Sequence, residues 1–245
     1  MMHPVRKSSA AALLSAAVLT FLSAVPVFAE DFSFSADSMS GAMSKGRERA
    51  VLTGNALVIS GSMRIAADRI ELYGDEFRFA ECSGRVLVVD EDRGLRLTTE
   101  RLVYDRRDKV SRLTGPSVME DRQNKVVIKG DYIENDDERK IAVVQINVRI
   151  LKENLSCRAE FARYDRAAKT LELSGTPVVR REGDEYRAAT ILVDLDTEDI
   201  VLSGSVSGTV AAGTKKDPAA GGDAISGDAI SGEPAITDTP EEASP

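Results

Sequence analysis

The sequence is poor in the residues that most often do chemistry. Its only histidine is His3, it has no tryptophan, and its 245 residues include two cysteines, Cys82 and Cys157. With no imidazole beyond the first few residues, Ser-His-Asp and Cys-His catalysis and histidine-based metal sites are excluded. An enzyme made from this chain would have to rely on carboxylates, lysine, tyrosine or a cysteine alone. The acidic stretches Asp90-Glu91-Asp92, Asp136-Asp137-Glu138 and the run from Asp194 to Asp199 lack the spacing and central glycine of a calcium loop. They read as solvated turns, so neither a metal nor a cofactor is expected. Helical periodicity is missing after residue 30, as is any further long apolar run.

The long apolar run that does exist lies at the start. Arg6 and Lys7 precede a stretch from Ala10 to about Phe28, which ends in Val27-Phe28-Ala29. This is the pattern of a secretory signal cleaved after Ala29. Its removal leaves 245 − 29 = 216 residues and, with Arg6 and Lys7 gone, a formal charge of 30 − 40 = −10. A chain this acidic repels nucleic acid on average, and no such partner is expected. Export would favour a disulfide, but the repeat described next argues against one.

Glycines recur at Gly54, Gly84, Gly115, Gly175 and Gly204, at spacings of 30, 31, 60 and 29, and Ile146 stands at the midpoint of the double step. A second register puts a small residue before an acid: Ala36-Asp37, Ala67-Asp68, Thr99-Glu100, Gly130-Asp131 and Ala159-Glu160, with Ala189-Thr190 as a copy that has lost its acid. A third marks turns, as in Tyr104-Asp105-Arg106-Arg107-Asp108-Lys109 and Tyr164-Asp165-Arg166-Ala167-Ala168-Lys169. A period near 30 means stacked supersecondary units. Each unit reads as two β-branched, alternating strands and two turns.

The alternation changes phase inside every second strand. Ile65 and Ala67 share one parity and Ile70 and Leu72 the other, with the switch at the small–acid step. A period of two cannot change parity without a bulge or bend. The small–acid step and the glycines are therefore corners, the acid pointing outward or capping the bend. The expected fold is all-β: a V-shaped or flattened stack of bent strands. The two cysteines lie two and a half repeats apart, roughly 12–24 Å along the stack by strand spacing, too far for a disulfide, so both thiols are expected free and mostly buried. Arg106-Arg107 and Arg180-Arg181 are small basic clusters near turns. From about Ala211 the chain turns rich in Ala, Gly, Asp, Ser and Pro, and Gly222-Asp223-Ala224-Ile225-Ser226 repeats at once as Gly227 to Ser231. This is an acidic low-complexity tail. The organisation is a signal over 1–29, one β domain over 30–210 and a disordered tail over 211–245.

The apolar positions Val58, Ile65, Val86, Val88, Leu97, Ile128 and Val148 lie on the inner side of this stack. By pattern alone they could fill a closed core, as in a structural, filament-forming β-solenoid. A carbohydrate-active solenoid enzyme is disfavoured because the acids sit at turns and bends rather than converging on one face.

Ser35-Ala36-Asp37-Ser38-Met39, then Leu52-Thr53-Gly54-Asn55-Ala56-Leu57-Val58, then Ile65-Ala66-Ala67-Asp68-Arg69-Ile70 resemble the periplasmic lipopolysaccharide-transport bridge family, the LptA/OstA-like proteins. The likeness spans about residues 32–210, with Ala56 for the usual valine, Ile146 for a glycine and Thr190 for an acid. It implies an antiparallel β-jellyroll open at both ends, with the apolar residues above lining a lipid-binding groove rather than a closed core. It also implies a non-enzymatic periplasmic carrier of lipopolysaccharide or another glycolipid. Such a carrier associates head to tail and joins an inner-membrane transporter complex to an outer-membrane barrel protein.

Overall fold

The computed structural model describes residues 31–42, 44 and 48–211. The expected signal, and all but the first residue of the expected tail, lie outside the described residues. The described chain is all-β and antiparallel, and its strands form a single sheet. In order they are β1 (Phe32–Ser35), β2 (Ser38–Ala42), β3 (Arg49–Ser60), β4 (Met63–Tyr73), β5 (Phe79–Asp90), β6 (Leu95–Asp105), β7 (Val110–Asp121) and β8 (Val126–Asp136). There follow β9 (Ile141–Lys152), β10 (Leu155–Asp165), β11 (Thr170–Ser174), β12 (Val178–Arg181), β13 (Asp184–Arg187), β14 (Thr190–Asp194), β15 (Ile200–Ser203) and β16 (Ser207–Thr209). From β3 to β10 each strand pairs with the next, so neighbours in sequence are neighbours in space. The first and last strands do not pair with each other, and the sheet is not closed into a barrel.

Each of the long strands, β3 to β10, bends near its middle. In β3, Thr53 faces Arg69 and Ala56 faces Ala67, so Gly54 and Asn55 together oppose the single residue Asp68. The same two-against-one step recurs between β5 and β6, β7 and β8, and β9 and β10, where 84–85, 115–116 and 146–147 oppose 100, 131 and 160. This geometry accounts for the parity pattern. Inserting two residues preserves alternation on the glycine strands, whereas inserting one inverts it on the acid strands. At the shorter strands the same corner breaks the ladder outright. Thus β10 pairs with β11 through 161–165 and with β12 through 155–158.

The paired residues at these corners are in the left-handed region: Gly54 (φ 75°) with Asn55 (46°), and Gly84 (76°) with Arg85 (46°). The acid of each unit covers the glycine of the following strand. A Cβ on Gly84 would lie 2.5 Å from Asp68 Oδ2, and one on Gly54 would lie 2.4 Å from Asp37 Oδ2. The residue after the glycine, or after Ile146 in the copy without one, then donates to that acid: Asn55 Nδ2 to Asp37 (3.0 Å), Arg85 Nε to Asp68 (2.9 Å) and Asn147 Nδ2 to Asp131 (2.5 Å). The acid therefore caps the bend, one of the two roles expected from sequence. The last copy corrects the sequence register by one residue. Ala189, not Thr190, lies over Gly204, with Cβ atoms that would be 2.8 Å apart.

The line of corners is a crease that divides the sheet into two leaves. The upper leaf comprises β2, residues 49–53, 69–73 and their equivalents, then β11, β14 and β15; the lower comprises β1, residues 56–60, 63–67 and their equivalents, then β12, β13 and β16. Turns alternate between the two free rims. Many open with an aspartate whose carboxylate accepts from backbone N–H groups two or three residues on: Asp90 from Arg93, Asp105 from Arg107 and Asp108, Asp121 from Asn124, and Asp165 from Ala167 and Ala168. They close on a left-handed residue: Gly94, Lys109, Lys125, Lys140 or Lys169. The acidic stretches are thus only partly solvated. Asp90, Asp105 and Asp121 are buried because they hold turns from inside, and Asp137 is buried against Arg166 and Asn135.

Candidate functional site

The interior between the leaves is the candidate site. Val58, Ile65, Val86, Val88, Leu97, Ile128 and Val148 all lie on the lower leaf, point inward and are buried in one continuous apolar cluster. The upper leaf supplies the facing wall: Leu52, Ile70, Cys82, Leu102, Leu113, Ile133, Val144, Leu171 and Leu173, all buried. Sequence reasoning left this wall out of the groove. The parity switch carried the signal, because residues of opposite parity on the two sides of an acid corner face the same interior. Ile128 is 0% exposed. It is enclosed by both leaves rather than standing at a groove edge.

The interior runs to both ends of the sheet. Phe34 pairs with Val58 and Met39 with Leu52, so both share the inward face, yet each is 43% exposed because no strand covers β1 and β2 on their outer side. At the other end, Ile200 and Leu202 of β15 and Tyr186 of β13 pack against the core from the last strands. Both cysteines are free and buried, Cys82 on the upper leaf and Cys157 on the lower. Burial pushes each thiol up to about 12, with the charge of Glu81 adding to the effect at Cys82.

Opposite the crease the free rims meet along a seam. Tyr164 donates to Asp121 Oδ2 (3.0 Å), Asn124 Nδ2 to the Arg166 carbonyl (3.5 Å), Lys152 Nζ to the Leu195 carbonyl, and Arg181 pairs with Glu198. Asp137 of the upper leaf is held by Arg166 (3.1 Å) and Asn135 (2.9 Å); Asn135 and Asp137 are buried, and the Arg166 side chain is 8% exposed. Near the start of the chain, Phe32 packs edge-on against Phe77 (6.0 Å between centroids) and Arg106 lies over the Phe32 ring at 4.3 Å. The contacts are sheared: β7 meets β10 across the seam, about three strands along, as the twist of a long sheet demands. Arg166 Nε and Asn135 Oδ1 are buried with no hydrogen-bond partner among the described residues, which costs about 1–3 kcal/mol for each group.

Among the described residues, two sizeable gaps lie along the seam. One, of about 520 Å³, lies between Ser60–Met63 with Asp92 and Arg93 on the lower rim and Tyr104 and Lys109 on the upper. The other, of about 190 Å³, lies between the 123–125 and 152–153 turns and Lys169, Leu195 and Asp196. Of the basic pairs seen in the sequence, Arg106 and Arg181 join the seam, and their neighbours make ordinary surface contacts. Arg107 is 4.0 Å from Asp75, and Arg180 pairs with Glu185 (2.6 Å). Among the described residues no group of three His, Cys, Asp or Glu side chains could hold a metal ion.

Residues 34–141 match a family model described as the LptA/(LptD N-terminal domain) LPS transport protein. No curated protein matches the chain in sequence. Among solved structures the chain is similar to LptH from Pseudomonas aeruginosa, described as the LptA-homologous periplasmic component of the lipopolysaccharide transport device. That similarity covers 75% of this chain and 96% of LptH at 10% identity, with a TM-score of 0.24.

Proposed function

Because residues 34–141 place the chain in the LptA/LptD N-terminal lipopolysaccharide-transport family, we propose that it is an exported carrier. In this reading it takes lipopolysaccharide, or a related glycolipid, across the periplasm as one segment of a bridge between the inner and outer membranes. The family's activity is transport, not catalysis. The observation that carries the reading is the apolar interior, one cluster that runs from Leu52 and Val58, with Phe32 packed on it, to Ile200 and Leu202, between end strands (β1 and β2, β15 and β16) that each pair on one side alone. A second copy docked on either edge would extend both the ladder and the interior. Its partners at the ends of the bridge would be an inner-membrane transporter complex and the outer-membrane barrel protein.

The energetics suit a carrier. Each buried methylene of an acyl chain gains about 0.8 kcal/mol, so ten give roughly 8 kcal/mol. To admit the chain the leaves must part. Contacts between Val58, Ile65, Val86, Val88, Leu97, Ile128 and Val148 and the upper wall are then exchanged for contacts with hydrocarbon. That exchange is close to neutral, and the net gain is the lipid surface removed from water. The same packing favours a second reading, a filament-forming structural β-solenoid whose core never opens, since the proposed lining residues are buried in the lipid-free chain. Mass spectrometry of the protein purified from the periplasm separates the two. The carrier reading expects stoichiometric acylated glycolipid and a mature chain beginning at Glu30. A chain free of lipid that still polymerises would favour the structural reading.

A further inference from the structure

The seam is not uniform. From Asp121 onward it is crossed by Tyr164–Asp121, Asn124–Arg166, Lys152–Leu195 and Arg181–Glu198. At the chain's start it is crossed by Phe32, Phe77 and Arg106. Between these two clasps lies the larger gap, whose lower rim is the Ser60–Met63 turn and whose upper rim is Tyr104 and Lys109. Its chemistry is graded. Arg93, Lys109, Asp92 and the hydroxyls of Ser60 and Ser62 surround the opening, while Met63, one of its lining residues, belongs to the apolar cluster that includes Ile65 and Leu97. The smaller gap further along has Lys152 bonded across it to Leu195 and Asn124 to Arg166.

We infer that the gap between Ser60–Met63 and Tyr104/Lys109 is the lateral portal of the interior, through which an acyl chain enters while its anionic, hydroxylated head stays at the charged rim. The ladder Asp137–Arg166–Asn124–Asp121–Tyr164 is the clasp that limits the opening to this part of the seam. The clasp is well placed to yield when the leaves part further. It is polar where the rest of the interior is apolar, and it leaves Arg166 Nε and Asn135 Oδ1 unsatisfied when shut. This inference rests on the carrier reading above and adds to it a place of entry.

The test is site-specific photo-crosslinking of the full chain with biotin-tagged lipopolysaccharide. A photoreactive phenylalanine analogue replaces, one at a time, Ser62 and Asp92 at the portal, Gln123 and Asp196 at the clasped gap, and Phe34 at the open end. Strong labelling from positions 62 and 92 and weak labelling from 123 and 196 are expected. Tyr164→Phe with Asn124→Ala removes two cross-seam hydrogen bonds and should raise labelling at 123 and 196 by roughly tenfold, with little change at 62. Should the double variant not fold, Tyr164→Phe alone, which keeps the ring, serves for the same comparison. Equal labelling at all rim positions, labelling from position 34 alone, or no response to opening the clasp overturns the portal and leaves the carrier reading standing. No labelling from any position overturns both.

Discussion

A single carboxylate does two different jobs in this chain, depending on where in the repeat it falls. At the crease, Asp37, Asp68 and Asp131 stay at the surface and hold the second left-handed residue of the bend, Asn55, Arg85 or Asn147. At the rims, Asp90 and Asp105 are buried and hold turns. Burial pushes both rim carboxyls up. At Asp90 the Arg93 N–H and guanidinium and the Ser62 hydroxyl outweigh it; at Asp105 the Arg78 guanidinium and the N–H groups of Asp108 and Arg107 do so, and both pKa values fall below the ordinary 3.8. Groups with a lowered folded-state pKa give stability that is fully present above the unfolded value, near pH 4, and lost as pH falls through the lowered value. Urea titrations from pH 7 to pH 2 should therefore show stability dropping below about pH 4. Asp105→Asn should be less stable at pH 7 and lose less on acidification; a wild type that gained stability on acidification would contradict this assignment. The cysteines give a second test at this scale. With both thiols buried and raised to about 12, a thiol reagent at pH 8 should react only on unfolding.

At the scale of the element, the corner decides whether a strand can serve both leaves. Gly84→Ala forces a Cβ into a φ of 76° and toward Asp68 Oδ2, 2.5 Å away. A loss of about 1–3 kcal/mol is expected, read as a lower urea midpoint with unchanged m-value. The reverse experiment exists naturally at Ile146, a β-branched residue at φ 64° that is also 54% exposed. Ile146→Gly should stabilise by about 1 kcal/mol, because relief of strain exceeds the added unfolded-state entropy. That corresponds to a Tm higher by roughly 2–4 °C. A lower Tm would mean that Ile146 packs against something when the chain is assembled.

For the whole molecule, the decisive features are the open ends and the filled interior. Phe34→Asp puts a charge on the inward face of an edge strand at a residue already 43% exposed, so folding should survive while the head-to-tail association proposed above is lost. Sedimentation velocity over a concentration series checks this, and oligomers identical to wild type would place the contact elsewhere. Ile128→Asp behaves differently. The carboxylate would be enclosed on all sides, since Ile128 is 0% exposed, and an unpaired buried charge costs several kcal/mol. The variant should be largely unfolded by circular dichroism, which makes rim positions better reporters of lipid entry than the interior.

The sequence by itself determined the all-β class, the bends and the turns. All are local: a period of two, a parity inversion at Ala67-Asp68 and the Asp-to-Lys turns require only neighbouring residues. It also determined the lower wall of the interior, from Val58 to Val148, because those residues alternate within single strands. Only the tertiary structure decided which upper-leaf residues face them, because a two-against-one bulge must be counted on paired strands before parity on the two sides of a corner can be compared. The shear of the leaves was likewise beyond reach. Which rim meets which depends on twist accumulated over the entire sheet, so nothing near Asp121 or Tyr164 announces that β7 and β10 touch. That long-range offset, and not any motif, leaves a gap beside Ser62 and a clasp beside Asn124.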